Sequence, residues 1–219
     1  MQRFTGERLT FNVLAKLLAL SVLIGFALLG AWILMKPKEA TPPAQASSGP
    51  ALDGFKFTGA GSCSSSNCHG GVSSRADKRI RQDEYSAWVI KDKHARAYDV
   101  LFNEKSKRMA RILKLDKPET SAKCLDCHAT NVATDLRSRS FDISDGVSCE
   151  SCHGPAEQWL GQHTTRGWTH EQSLKVGMYD MKNTVRRAEK CLTCHLGTAE
   201  KWVDHEMIAA GHPDLIFEL

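Results

Sequence analysis

Hydrophobic positions are arranged along this chain in three different ways. Residues 17–35 (LLALSVLIGFALLGAWILM) form one apolar run without a single charge. As a helix it would be roughly 28 Å long, about the thickness of a bilayer's hydrocarbon core. Arg3, Arg8 and Lys16 precede it, the asymmetry expected of a cytoplasmic N-terminus. The run exceeds the roughly 7–15 apolar residues of a signal peptide, so an uncleaved anchor is favoured over a cleaved signal. The small residues Ala44 and Ala46 keep the signal reading as the alternative. Residues 36–54 are rich in Pro, Ala and Ser, the composition of a solvated tether. The expected organisation is a cytoplasmic N-terminus at 1–16, a transmembrane helix at 17–35, a linker at 36–54 and a folded domain at 55–219.

Within that domain the apolar residues fall at helical spacing in short stretches and never alternate for long. Ile90, His94, Ala97, Tyr98 and Leu101 share one stripe, with Lys91, Lys93 and Arg96 off it. Ala156, Trp159, Leu160 and His163 follow an i, i+3, i+4, i+7 pattern behind Pro155, a residue suited to a first helical position. Trp202, His205 and Ala209 share a third face, which Gly211 and Pro213 bring to a stop. The pattern predicts helices near 82–102, 104–115, 155–163, 184–195 and 199–210. The fold class is therefore mainly α with extensive irregular chain.

Composition changes the picture at one point. Among 219 residues there are eight cysteines and nine histidines. The cysteines form four close pairs, and each second cysteine is followed by histidine. Three pairs are Cys-x-x-Cys-His: Cys124, Cys127 and His128; Cys149, Cys152 and His153; Cys191, Cys194 and His195. The first is wider, with Cys63, Cys68 and His69. Zinc binding, disulfides or redox dithiols would also use paired cysteines, but none requires the adjacent histidine. Covalent c-type haem does: two thiols meet the two vinyl groups of one porphyrin, and the histidine supplies its imidazole to iron. The motifs predict four covalently bound haems (Fe), with His69, His128, His153 and His195 as proximal ligands and a core largely filled by porphyrin. Haem attachment of this kind takes place outside the bacterial cytoplasm, in agreement with an exported domain in the periplasm.

A low-spin haem needs a second strong ligand. His94, His163, His205 and His212 are the candidates, three of them on apolar stripes and His212 on a cap turn. His170 sits in a polar stretch and is expected at the surface. The formal charge of +4 is too balanced for nucleic-acid binding. Residues 36–219 hold 26 Lys and Arg against 24 Asp and Glu, and each ferric haem with both propionates ionised adds about −1, so the loaded domain is near −2. Residues 75–114 nonetheless hold 12 Lys and Arg against 6 Asp and Glu, a solvated face or a docking surface for an acidic redox partner.

The order of motifs resembles the tetrahaem cytochrome c-554 family over about residues 60–197. The matching pieces are the first cysteine pair, Trp88 with His94-Ala-Arg-Ala97, Cys124–His128, the run from Gly146 to Pro155 (GVSCESCHGP), Gly161-Gln-His163, and Cys191–Leu196. The resemblance implies His163 as distal ligand to the first haem and His94 to the third. It implies an open or differently filled second haem, and a histidine from 205 or 212 on the fourth. It also implies an electron carrier between a donor and an acceptor redox protein; the apolar run at 17–35 would hold that carrier at the membrane, where a quinol-oxidising membrane complex is one plausible neighbour. Two alternatives stand beside it. One is a reductase or oxidase of small nitrogen or sulfur oxides at an open second haem, with Asp126 as the nearest carboxylate. The other is a haem-bearing subunit of a larger complex.

Overall fold

A computed structural model describes residues 54–77 and 80–215. The expected membrane helix at 17–35 and all of the linker but Gly54 lie outside the described residues. Among those that are described, no helix is long and apolar enough to cross a membrane. Among the described residues, seven short α-helices are joined by 3-10 turns and loops: α1 (Glu84–Lys91), α2 (Glu104–Ile112), α3 (Ala122–His128), α4 (Cys149–His153), α5 (His170–Lys175), α6 (Thr184–His195) and α7 (His205–Ala210). The described residues contain no strand, only one isolated parallel bridge between Phe57 and Arg137. The mainly helical reading therefore holds, with several boundaries moved.

The expected helix at 82–102 breaks at Asp92. That residue is extended (φ −88°, ψ 128°), and its side chain accepts from the His94 backbone N–H, so the chain restarts as 3-10 turns at Lys93–Arg96 and Asp99–Phe102. Local side-chain to backbone bonding has outcompeted helix continuation. Asn103 then caps α2 through Ser106 N–H. The segment 155–163 is not a continuous helix. Leu160 N–H bonds Ala156 and His163 N–H bonds Trp159, but the turns are interrupted and end in a 3-10 turn at Gln162–Thr164. The apolar face survives this interruption, since Ala156 and Trp159 are buried. The expected helix at 199–210 shortens to α7, because Asp204 caps it by accepting from Met207 N–H. Trp202 consequently lies before the helix and is half exposed, and it shares no helical face with His205.

Side chains alone make only a thin core. Leu101, Leu125 and Ala129 cluster, with Tyr98, Cys124 and Ile143 against them. The bulkiest fully buried side chain is a carboxylate, that of Glu150. It accepts from Thr58 N–H (2.8 Å), Gly59 N–H (2.7 Å), Ala156 N–H (2.7 Å) and the Thr58 hydroxyl (3.3 Å). Glu150 thereby pins the chain just before the first cysteine pair, and the turn after the third, onto α4. Gly146 (φ 69°) is required by a close approach: a Cβ there would stand 2.7 Å from the His94 carbonyl oxygen. That carbonyl accepts from Val147 N–H, so the His94 segment is seated against the entry to α4.

Candidate metal centres

Three of the four cysteine motifs are helical. α3 and α4 each contain one whole motif, and α6 ends in the fourth. A helix places residues three apart on one face, so both thiols of a Cys-x-x-Cys pair are offered to one side. The first motif differs. Cys63 ends a 3-10 turn at Ala60–Cys63, and Cys68 follows a tight loop in which its N–H bonds Ser65. Gly70 closes that loop so tightly that a Cβ would overlap the Ser64 carbonyl.

None of the eight cysteines is in a disulfide. The motifs meet in couples. The Cys63 thiol is pushed far up by its contact with Cys149 and by burial. The Cys127 thiol is pushed up in the same way by Cys194. Cys194 in turn is drawn down to about 5, by Cys127 first and also by Lys201, whose Nζ lies 3.2 Å from the sulfur. The charge of Cys152 is felt against Cys191 and Cys194. The motifs therefore neighbour one another in the order first, third, fourth, second.

The histidines meet in three ring pairs. Centroids of His69 and His163 are 6.4 Å apart, those of His94 and His195 6.1 Å, and those of His128 and His212 6.3 Å. Two imidazoles bonded to one metal at about 2 Å each, with about 1.1 Å from nitrogen to ring centre, place their centroids roughly 6.2 Å apart. Ordinary ring contacts also fall within about 4.5–7 Å, so the nitrogen chemistry has to discriminate.

It does so consistently. Nδ1 of His69 faces the Glu84 carboxylate (2.9 Å), and that of His94 the Asp92 carboxylate (2.9 Å). Nδ1 of His128 faces the Ala97 carbonyl (2.9 Å), that of His163 the Leu160 carbonyl (2.6 Å) and that of His212 the Pro213 carbonyl (2.7 Å). An acceptor-only partner places the proton on Nδ1 and leaves the Nε2 lone pair for a metal. Burial also pushes the pKa of His128 down, which favours the neutral imidazole a metal needs. The residues present thus fit a haem iron held between paired imidazoles.

His170 shows the opposite chemistry. Its Nε2 is engaged with Asp180 at 2.9 Å, in a partly buried ion pair rather than at the open surface. His205 is exposed at the first turn of α7, and no ring pair brings it to another histidine. His153, its pKa lowered by burial and then by His69 and His163, also lacks a ring pair among the described residues. His94 therefore faces the fourth motif's histidine where the third was expected, and His212 faces the second motif's. The carboxylate of Asp126 is engaged by Asn131.

Sequence reasoning missed Glu84, Asp92 and Glu150. Asp92 two residues before His94 is a readable turn signal. Glu84 and Glu150 reach their partners across 15 and roughly 90 residues of chain, for which the sequence carries no sign.

Comparison with known proteins places these centres in context. Residues 62–154 match the family model described as cytochrome c554 and c-prime. The stretch takes in the first three motifs and stops before the fourth. The chain is also 29% identical over 115 residues to cytochrome c-554 of Nitrosomonas europaea, an alignment covering 47% of this chain and 48% of that protein. The chain thus spans about half the length of the curated relative it matches. No solved structure matches it.

Proposed function

We propose that this chain, similar to the cytochrome c554 and c-prime family over residues 62–154 and to a cytochrome c-554 over 115 residues, carries covalently bound c-type haem and is a tetrahaem electron carrier, anchored by residues 17–35 with its haem domain in the periplasm. The observation that carries this reading is the set of three histidine pairs at 6.1–6.4 Å, each with Nδ1 turned to an acceptor wherever a partner is identified. The thioethers would form on Cys63 and Cys68, Cys124 and Cys127, Cys149 and Cys152, and Cys191 and Cys194. Iron would be held by His69 with His163, His128 with His212, His195 with His94, and His153.

Haem supplies reversible one-electron chemistry at iron. The chain does the rest. Paired imidazoles would hold iron at three of the centres and leave it no site for substrate there, which suits transfer over catalysis. Acceptors at Nδ1 hold each ring in orientation and raise its basicity. Glu150 ties the first motif to the third, and Lys201 spans the second and fourth through the Asp126 carbonyl and the Cys194 sulfur. The neighbour order first, third, fourth, second then provides a linear relay. The partners would be a donor and an acceptor redox protein, reached from the membrane surface.

One observation favours a second reading, catalysis on a small oxide. His153 has no paired ring, so an accessible iron would be the third motif's and not the second's. A pyridine haemochrome count with a carbon monoxide difference spectrum of the reduced full-length protein tests both. Four haems with no spectral change support the carrier. One carbon monoxide-binding haem in four, retained when His212 is replaced by alanine and joined by a second, would turn the reading toward an enzyme at His153. Absence of covalent haem would sink both readings.

A further inference from the structure

Trp159 is 6% exposed, and its indole Nε1 is a buried side-chain polar atom without a hydrogen-bond partner. Indole nitrogen can only donate, and burying a donor without an acceptor is costly. The other described tryptophans avoid that cost. Trp88 donates to the Val147 carbonyl at 3.2 Å, Trp168 to the Ser173 hydroxyl at 2.8 Å, and Trp202 is half exposed to water.

Several acceptors near Trp159 in the chain are already engaged. Its own carbonyl takes the His163 N–H, the Ala156 carbonyl takes Leu160 N–H, and the Leu160 carbonyl takes His163 Nδ1. The Glu150 carboxylate is filled by Thr58, Gly59 and Ala156. The Trp159 ring stands edge-on to His163 at 5.5 Å, and His163 lies over His69. The orphan donor therefore sits at the first haem centre. A phenylalanine would give the same apolar wall without an unpaired N–H.

We propose that the Trp159 indole N–H donates a hydrogen bond to a propionate carboxylate of the haem held by His69 and His163. The inference rests on the haem reading above. A donor to an ionised carboxylate makes a charge-assisted bond and favours the charged form. Trp159 then holds neither the thioethers nor the iron, and its bond lowers the proton affinity of one propionate. It thereby sets the pH at which that haem's potential begins to respond to protons.

The test is Trp159→Phe in the full chain, matured in a host that attaches c-type haem. The haem count and the low-spin spectrum should stay unchanged. The propionate band in the infrared difference spectrum should shift, and the pH-linked step in one midpoint potential should move upward, reflecting roughly tenfold tighter proton binding. An unchanged band and an unchanged step, with haem count and axial spectrum intact, would overturn the proposal while leaving the haem reading standing. If the variant fails to mature, wild-type protein labelled with 15N-indole tryptophan decides. A slowly exchanging, hyperfine-shifted indole N–H supports the propionate bond. An unshifted N–H in fast exchange, the mark of a water partner, refutes it. A wild-type protein without covalent haem would remove the premise and the proposal together.

Discussion

Replacing Glu150 with alanine should be among the most damaging single changes outside the haem ligands. The carboxylate is 1% exposed and satisfies three backbone N–H groups, those of Thr58, Gly59 and Ala156, besides the Thr58 hydroxyl. Alanine leaves those three donors without acceptors, two of them buried and that of Thr58 partly so. At about 1–3 kcal/mol for each unsatisfied group, the loss is at least about 3 kcal/mol. That is a large share of a typical stability of about 5–15 kcal/mol, and about 3 kcal/mol lowers the Tm of a domain this size by roughly 6–12 °C. Glu150→Gln separates acceptor chemistry from shape. Oε1 serves Thr58 and Ala156, while Oε2 serves Gly59 alone. An amide placed with its oxygen at the Oε1 position strands only the Gly59 donor, for a cost of about 1–3 kcal/mol. Denaturant unfolding of the haem-loaded variants, followed by Soret absorbance, should rank them wild type, Gln, Ala. A loss below about 1 kcal/mol for alanine, or equal losses for both variants, would refute the view that Glu150 pins the first motif onto the third.

Three further outcomes follow from the same geometry. His212→Ala should open the iron on His128 and add one carbon monoxide-binding haem, whereas His205→Ala should leave the difference spectrum as in wild type; a reversed result would put His205 on the iron. Asp180 is held below the usual carboxylate range, chiefly by its bond to His170. A depressed carboxylate stabilises the fold above its ordinary pKa, and that contribution fades as pH falls through the lowered value; a carboxyl NMR titration of Asp180 with its midpoint at or above the ordinary value would contradict the ion pair. Lys105, Arg108 and Arg111 lie exposed on α2. Reversing all three to Glu should slow electron exchange with an acidic partner and flatten its salt dependence, and stopped-flow rates unaffected at low ionic strength would move the docking site elsewhere.

What could be read from the sequence were features with local causes. A Cys-x-x-Cys-His run states its own chemistry, and α6 ends at His195 where the periodicity predicts it. Asn103 caps α2 where the helix expected from 104 begins, whereas Asp204 caps α7 inside the run expected as helix at 199–210. The misjudged helix at 82–102 had a local cause as well, since an Asp two residues before His94 can turn the chain, but the apolar stripe from Ile90 to Leu101 outweighed it. The stripe itself is real in part: Leu101 is buried, while Ile90 is largely exposed.

The pairing of the histidine rings had no local cause to read. His94 lies near the entry to the third motif, because Gly146 and Val147 hold its backbone there, and proximity alone would join it to His153. Its imidazole instead faces His195, more than a hundred residues along the chain, with Asp92 gripping Nδ1. Backbone anchoring and ring orientation are thus set by different contacts, and only the second decides which histidine His94 faces. The same division explains His212. The N-cap of α7 is Asp204, which also pairs with Lys123 beside Cys124, and the left-handed Gly211 turns the chain so that His212 N–H returns to the Met207 carbonyl. A helix docked on the second motif by its cap therefore delivers its terminal histidine to that motif. His205, at the start of the same helix, is left on the outer surface by the same docking.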